Sequence, residues 1–274
     1  MAEQEFDPIK VPIRPAATVM LIRDHPRNGV EVFMLQRTLN AAFAKGMYVF
    51  PGGRVDANDA ESTLEAHCDG MTDEEASALL GIPHGGLSYW VAVIRECFEE
   101  AGVLLARPAD GQDLIRFEDE DVIARFNKAR HSVHEGETSM MQLCDAEQLR
   151  LITDNIHYVS HWITPLGEPR RFDTRFFVAR APEGQDPLHD DSETIASLWV
   201  TPAGALERQR SGELAMMPPT IRNLEFLLPH STTDEVLGAA KKIGTPTTII
   251  PQLRVDAEGR VVGISMPGDA DYQN

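Results

Sequence analysis

The chain has 274 residues, 42% hydrophobic and 25% charged, and its 43 acidic side chains outnumber 25 basic ones for a net charge of −18. That balance belongs to an ordinary soluble globular protein with ample length for a core. A field of this sign repels polyanions and excludes non-specific nucleic-acid binding, so a small anionic substrate needs local help from metal ions and aimed arginines.

The three cysteines, Cys68, Cys97 and Cys144, are too few and too scattered for a disulfide framework or a zinc motif, which fits a reducing compartment. The acidic start, Met1-Ala2-Glu3-Gln4-Glu5, has no apolar signal-peptide core, and Asp271-Tyr272-Gln273-Asn274 carries no peroxisomal address or lipidation signal. The apolar run at 16–22 is too short to span a membrane. The expectation is a cytoplasmic protein without a membrane partner. Nothing in the composition demands or forbids a homodimer.

Segments 16–23 and 30–37 are rich in Val, Ile, Met, Leu and Phe, and Asn28-Gly29 between them predicts a hairpin or tight connection between strands. Met47 to Phe50 reads as a short strand ended by Pro51-Gly52-Gly53, whose glycines let the backbone come close to a ligand. Positions 60–86 are acidic and rich in small residues, with a short helix predicted near Asp73–Leu80. Over 87–101, Leu87, Trp90, Val91, Ile94, Cys97, Phe98 and Ala101 recur with helical period, and Gly102 stands where a C-terminal cap belongs. Positions 107–155 are polar and helix-prone. Strands are expected at 156–163, 172–180, 194–200 and near 260–265, and helices at 203–210, 219–228 and 233–242. Interleaved strands and helices make this an α/β or α+β layered domain.

The helix at 87–101 carries Glu96, Glu99 and Glu100 on its polar side. Glu96 and Glu100 are i,i+4 and Glu96 and Glu99 are i,i+3, so each like-charge pair destabilises the helix by roughly 0.2–0.5 kcal/mol unless a cation intervenes. Oxygen ligands so gathered suit Mg²⁺ or Mn²⁺.

The string Arg95-Glu96-Cys97-Phe98-Glu99-Glu100-Ala101-Gly102-Val103, preceded by Phe50-Pro51-Gly52-Gly53, resembles the box of the Nudix hydrolases. The first half departs from that box. Asp59 stands where the family has a glutamate, with Asp56 as an alternative, and positions 60–94 replace a short spacer. Such a loop-out is tolerable because closure entropy grows slowly with length. An insertion there resembles the subgroup containing peroxisomal coenzyme A diphosphatases and their bacterial relatives. His161-Trp162-Ile163-Thr164-Pro165, Arg171-Phe172-Asp173-Thr174-Arg175-Phe176-Phe177 and Trp199-Val200-Thr201-Pro202 support this resemblance. Leu35, Arg37, Thr38 and Gly46 partly match a signature proposed for coenzyme A-hydrolysing members, whose second arginine would fall on Ala42.

The resemblance implies an α/β/α sandwich with a mixed sheet, one domain over 1–274, and mostly helical insertions at about 60–86 and 107–155. It implies hydrolysis of a diphosphate in a small nucleotide conjugate, coenzyme A or acyl-coenzyme A first. ADP-ribose, NADH, dinucleoside polyphosphates or capped RNA are alternatives, as is a nucleotide sensor without turnover. Glu96, Glu99, Glu100, the Gly53 carbonyl and Asp59 would hold Mg²⁺ or Mn²⁺. Arg95 would fix a carboxylate rotamer, and Glu99 or Glu193, within Asp190-Asp191-Ser192-Glu193, would act as base. Arg37, Arg54, Arg171 and Arg175, with Arg170 beside them, are the phosphate-binding candidates because guanidinium matches phosphate in a bidentate fork. His157 and His161 read as structural, Cys97 as core, and Trp90, Trp162 and Trp199 as core anchors.

Overall fold

Strand β1 (Ile13–His25) is apolar on both faces, and its two sets of side chains enter two different cores. Ala17, Val19 and Leu21 join the cluster around one helix, whereas Met20 and Ile22 join the cluster on the other side. A strand covered on both faces loses the alternating pattern and reads as a continuous apolar run, as positions 16–22 do. The molecule is seen here as a computed structural model that describes residues 7–41, 43–60, 63–188 and 193–273. Ala42 and Asp190-Asp191-Ser192 lie outside the described residues.

After β1, β2 (Gly29–Arg37) returns antiparallel through the Asn28-Gly29 turn, with Gly29 at φ +74°. Two short strands follow, β3 (Tyr48–Val49) and β4 (Gly52–Arg54), which add to β2 and β1 respectively. Next come β5 (Cys68–Asp69), α1 (Asp73–Leu80), α2 (Leu87–Ala101), β6 (Ala106–Pro108), α3 (Glu120–His134), α4 (Met140–Glu147) and β7 (Leu149–Ile152). The chain then forms β8 (Ile156–Ile163), β9 (Arg171–Arg180), β10 (Thr194–Val200), α5 (Pro202–Arg210), α6 (Pro218–Leu227) and α7 (Thr233–Ala240). It closes with β11 (Thr248–Ile249), β12 (Gln252–Val255) and β13 (Val261–Ser265).

The main sheet runs β10-β2-β1-β9-β8-β11. The β1–β9 and β8–β11 pairs are parallel and the others antiparallel, so the sheet is mixed. Helix α2 covers one face and α5, α6 and α7 the other, giving the expected α/β/α sandwich. Among the described residues no helix is long and apolar enough to cross a membrane.

The expected helix limits of α2 hold to the residue. Its apolar stripe is buried, the Trp90 indole donates to the Ile156 carbonyl at 2.9 Å, and Gly102 closes the helix at φ +68°. The long insertion before it does more than loop out. Asp73, at the start of α1, accepts from the backbone N–H groups of Gly85 (2.8 Å) and Leu87 (2.9 Å), so the insertion caps the helix it precedes.

The two insertions differ from expectation in being one joined piece with strands of its own. β5 pairs with β7 and β7 with β6 in a small separate sheet, and Asp69 binds both Arg107 and Arg150. These strands are too short to show a period, and their pairing joins distant positions, so local pattern cannot announce them. Leu64, Leu80, Phe126, Met141 and Leu151 from this piece enter the same apolar cluster as α2.

Candidate active site

The Gly-Gly turn is built around close approach. A Cβ on Gly52 would lie 2.5 Å from the Ala17 carbonyl oxygen and from Thr18 Cα, and one on Gly53 would collide with the Glu96 carboxylate. Glycine is therefore required on steric grounds, and β4 is drawn against both β1 and the carboxylate end of α2. The Gly52 N–H donates to Glu100 Oε2 at 2.9 Å, which ties turn and helix together.

Arg95 organises the acidic groups. Its Nε donates to Asp59 Oδ1 at 2.8 Å and its Nη2 to Asp59 Oδ2 at 3.0 Å, the bidentate fork that guanidinium favours. The same side chain donates to Glu96 Oε1 (2.9 Å), Glu99 Oε1 (3.1 Å) and the Arg54 carbonyl (2.7 Å). Asp59 Oδ2 also accepts from the Asp56 N–H at 2.8 Å. Asp59, expected as a metal ligand, here turns both oxygens to Arg95, as Glu96 and Glu99 each turn one. Only 1% of Asp59 is exposed, and it anchors the arginine. Its shorter side chain suits a clasp reached from the turn at 57–60.

The remaining acids are short of positive charge. Burial pushes the Glu96 carboxyl up to about 7, with Arg95 opposing and Glu99 adding to the rise. Burial, then repulsion from Glu96, raises Glu100 well above the usual range, although the Gly52 N–H and Arg37 pull it down. Arg37 stands 3.6 Å from Glu100 and 3.1 Å from Glu193, with a buried Nε that has no partner. Glu193 thus faces α2 from the loop before β10. His134, at the end of α3, approaches Glu99 at 3.7 Å, a contact without a signal in the sequence because it comes from the second insertion.

These groups line a cleft of about 630 Å³ with Arg14, Arg54 and Arg170 at its rim. Among the described residues no carboxylate pairs with Arg14 or Arg170, whereas Arg54 stands 3.8 Å from Asp56. Two other expected phosphate contacts are corrected. Arg171 lies outside the cleft lining and donates to the Thr164 carbonyl at 3.1 Å. Arg175 is buried on the opposite face of β9, donating to the Tyr158 hydroxyl (2.9 Å) and His161 Nδ1 (2.8 Å). Strand alternation decides this: Phe172 and Thr174 face the cleft, so Arg171 and Arg175 point away from it.

Comparison with known proteins converges on one family. Residues 70–227, more than half of the chain, match the model of the NUDT19 Nudix domain.

The chain belongs to the Nudix family.

Among its relatives, a Xenopus laevis protein named acyl-coenzyme A diphosphatase NUDT19 is 27% identical over 238 residues, covering 75% of this chain and 62% of that protein. The human protein of the same name is 29% identical over 295 residues, covering 94% of this chain and 76% of that one. A solved Nudix hydrolase from Alicyclobacillus acidocaldarius superimposes with a TM-score of 0.65 at 26% identity, covering 84% of this chain and 97% of that one. This Nudix chain therefore spans less than two thirds of the frog relative's length and nearly all of the solved structure's.

By donor type, three carboxylates on one helix end suit a hard divalent cation. Glu96, Glu99 and Glu100 carry the oxygen donors; Glu96, mostly buried, and Glu100, buried, have raised proton affinity, which a cation would relieve. Among the described residues no three His, Cys, Asp or Glu side chains stand close enough to share an ion. Arg95 occupies Glu96 and Glu99 oxygens that such an ion would need.

Proposed function

We propose that this Nudix chain hydrolyses the P–O–P linkage of coenzyme A or acyl-coenzyme A. The carrying observation is the surplus of buried carboxylate against Gly52-Gly53 in a chain whose relatives bear the name acyl-coenzyme A diphosphatase. Water oxygen bonds to one phosphorus while the bridging P–O bond breaks, leaving 3′,5′-ADP and a phosphopantetheine or its acyl thioester. Glu96, Glu99 and Glu100, with Gly53, are the residues that would hold Mg²⁺ or Mn²⁺. When bound, the ion supplies charge neutralisation of the diphosphate oxygens and polarisation of water.

The chain's own groups supply positioning. Asp59 locks Arg95, and Arg95 holds the rotamers of Glu96 and Glu99. Arg37 bridges helix and loop and lines the cleft, where its guanidinium can meet a phosphoryl oxygen. Glu99 on the helix and Glu193 on the loop are the two carboxylates placed to take the proton of the attacking water. Arg14, Arg54 and Arg170 at the rim match the remaining phosphate charge of a nucleotide. A cytoplasmic location and a homodimer remain part of the proposal.

Mass analysis of products from coenzyme A, acyl-coenzyme A, NADH, ADP-ribose and dinucleoside polyphosphates with Mg²⁺ or Mn²⁺ tests this reading. Release of 3′,5′-ADP from the coenzyme A species is expected. Exclusive cleavage of ADP-ribose or a dinucleotide would replace the substrate, and tight binding of one compound without products from any would make the chain a sensor.

A further inference from the structure

A second cavity opens beside the carboxylate cleft and has the opposite chemistry. This chamber of about 220 Å³ shares Arg37, Gly52, Phe172 and Thr174 with the cleft, so one ligand can extend from the first into the second. Beyond the shared residues its wall is mostly apolar, with Trp162 and Phe176 from the sheet, Met217 from the start of α6, and Ile264 from the hairpin β12–β13, beside Thr164, Thr220 and Glu168. Phe43 and Phe172 stand together at the junction with ring centroids 5.5 Å apart. The only charged lining residues are Arg37, at the shared edge, and Glu168.

We propose that this chamber receives the acyl end of the substrate and so sets which thioesters are hydrolysed. The inference rests on the acyl-coenzyme A reading above, and charge fixes the direction in which the ligand lies. A nucleotide carries phosphate, which needs cations, and beyond Arg37 these line the cleft: Arg14, Arg54, Arg95 and Arg170. Beyond Arg37 at the shared edge the chamber offers no cation among the described residues, and its one other charge, Glu168, repels phosphate. An acyl chain needs no hydrogen-bond partner and gains from burial against aromatic and aliphatic walls. The diphosphate then lies at the carboxylates, the nucleotide toward Arg14 and Arg170, and the thin arm passes Phe43 and Phe172 into the chamber.

Trp162 provides a reporter independent of turnover. Full-length protein in EDTA is titrated with 12-bromododecanoyl-coenzyme A, whose terminal bromine quenches a neighbouring indole, while calorimetry follows binding. Quenching is expected in the wild type, and Trp162→Phe should bind by calorimetry yet lose the quenched component, because Trp90 and Trp199 do not line the chamber. Kinetics form the second arm: Met217→Trp and Ile264→Trp should each lower the ratio of kcat/KM for dodecanoyl- over acetyl-coenzyme A at least tenfold. Equal quenching in the wild type and Trp162→Phe, no quenching at any concentration, or an unchanged ratio would overturn the assignment. Quenching localised to Trp162 without any hydrolysis would retain the chamber and refute the activity. Hydrolysis without such quenching would do the reverse.

Discussion

Arg95, on α2 itself, and Arg175, on β9 beside Tyr89 at the start of α2, are both buried guanidiniums, and their surroundings differ in charge balance. Arg175 has one carboxylate, Asp173 at 3.3 Å, and its remaining contacts are neutral. His161 Nδ1 accepts from Arg175 and from the Thr248 hydroxyl (2.7 Å), which leaves the ring proton on Nε2 for Asp173 at 2.6 Å. The cluster is charge-matched, although the Arg175 Nε has no hydrogen-bond partner. Arg95 instead faces Asp59, Glu96 and Glu99, with Glu100 behind them; among the described residues Arg37 is the cation nearest Glu100, and His134 approaches Glu99. Both clusters contain a buried ion pair, so a buried pair is no mark of function. An unmatched surplus open to a cleft is.

The largest expected effect breaks the surplus. Glu100→Gln removes a charge that the fold does not need, so steady-state hydrolysis should fall on the order of 10²–10³-fold, the rate equivalent of several kcal/mol of lost polarisation. The midpoint of thermal unfolding should stay level or rise. Full activity in this variant would sink the assignment of the helix carboxylates.

Next in size is the balanced cluster. Arg175→Met leaves Asp173 and His161 without their cation and should destabilise the protein by about 3 kcal/mol in denaturant titrations. The kcat of the folded fraction should change little, and a selective loss of kcat at full stability would return Arg175 to the site.

Arg95→Lys sharpens the contrast, because lysine keeps the charge and loses the fork to Asp59. A fall of roughly 10–100-fold in kcat/KM is expected, as for residues that orient metal ligands. Asp59→Asn should follow Arg95→Lys, and the double variant should lose little more than either single.

Local pattern carries part of this architecture. The period of Leu87, Trp90, Val91, Ile94 and Phe98 is a local signal, and so is the Asn28-Gly29 hairpin, so α2 and the β1–β2 pair stand where the pattern puts them. The acids of α2 are legible for the same reason. The clasp of Asp59 on Arg95 is not, because it joins positions either side of an insertion. Facing is the other loss. Arg170, Arg171 and Arg175 look alike as sequence, and only the register of β9 against β1 separates the one that lines the cleft from those that do not. His134 and the chamber wall at Ile264 come from remote segments that carry no motif of their own.

The smallest effect lies away from both clusters, in the joined insertions. His67 donates toward Asp145 at 2.8 Å; burial lowers its pKa, but that hydrogen bond prevails and holds it above 6.5. A raised histidine contributes stability that is full below the unfolded value and is lost as pH rises through the folded one. Asp145→Asn should therefore cost less than about 1 kcal/mol at pH 6 and nothing measurable at pH 9, compared by thermal unfolding. A cost independent of pH would remove the ion pair from the account.

The central claim, that the carboxylate surplus at the C-terminal end of α2 is a cation site, is tested most directly by titrating metal-free protein with Mn²⁺ and following free Mn²⁺ by electron paramagnetic resonance. The wild type and Arg175→Met should bind alike, and Glu96→Gln and Glu100→Gln should each weaken binding at least tenfold. Identical isotherms for all four proteins would contradict it.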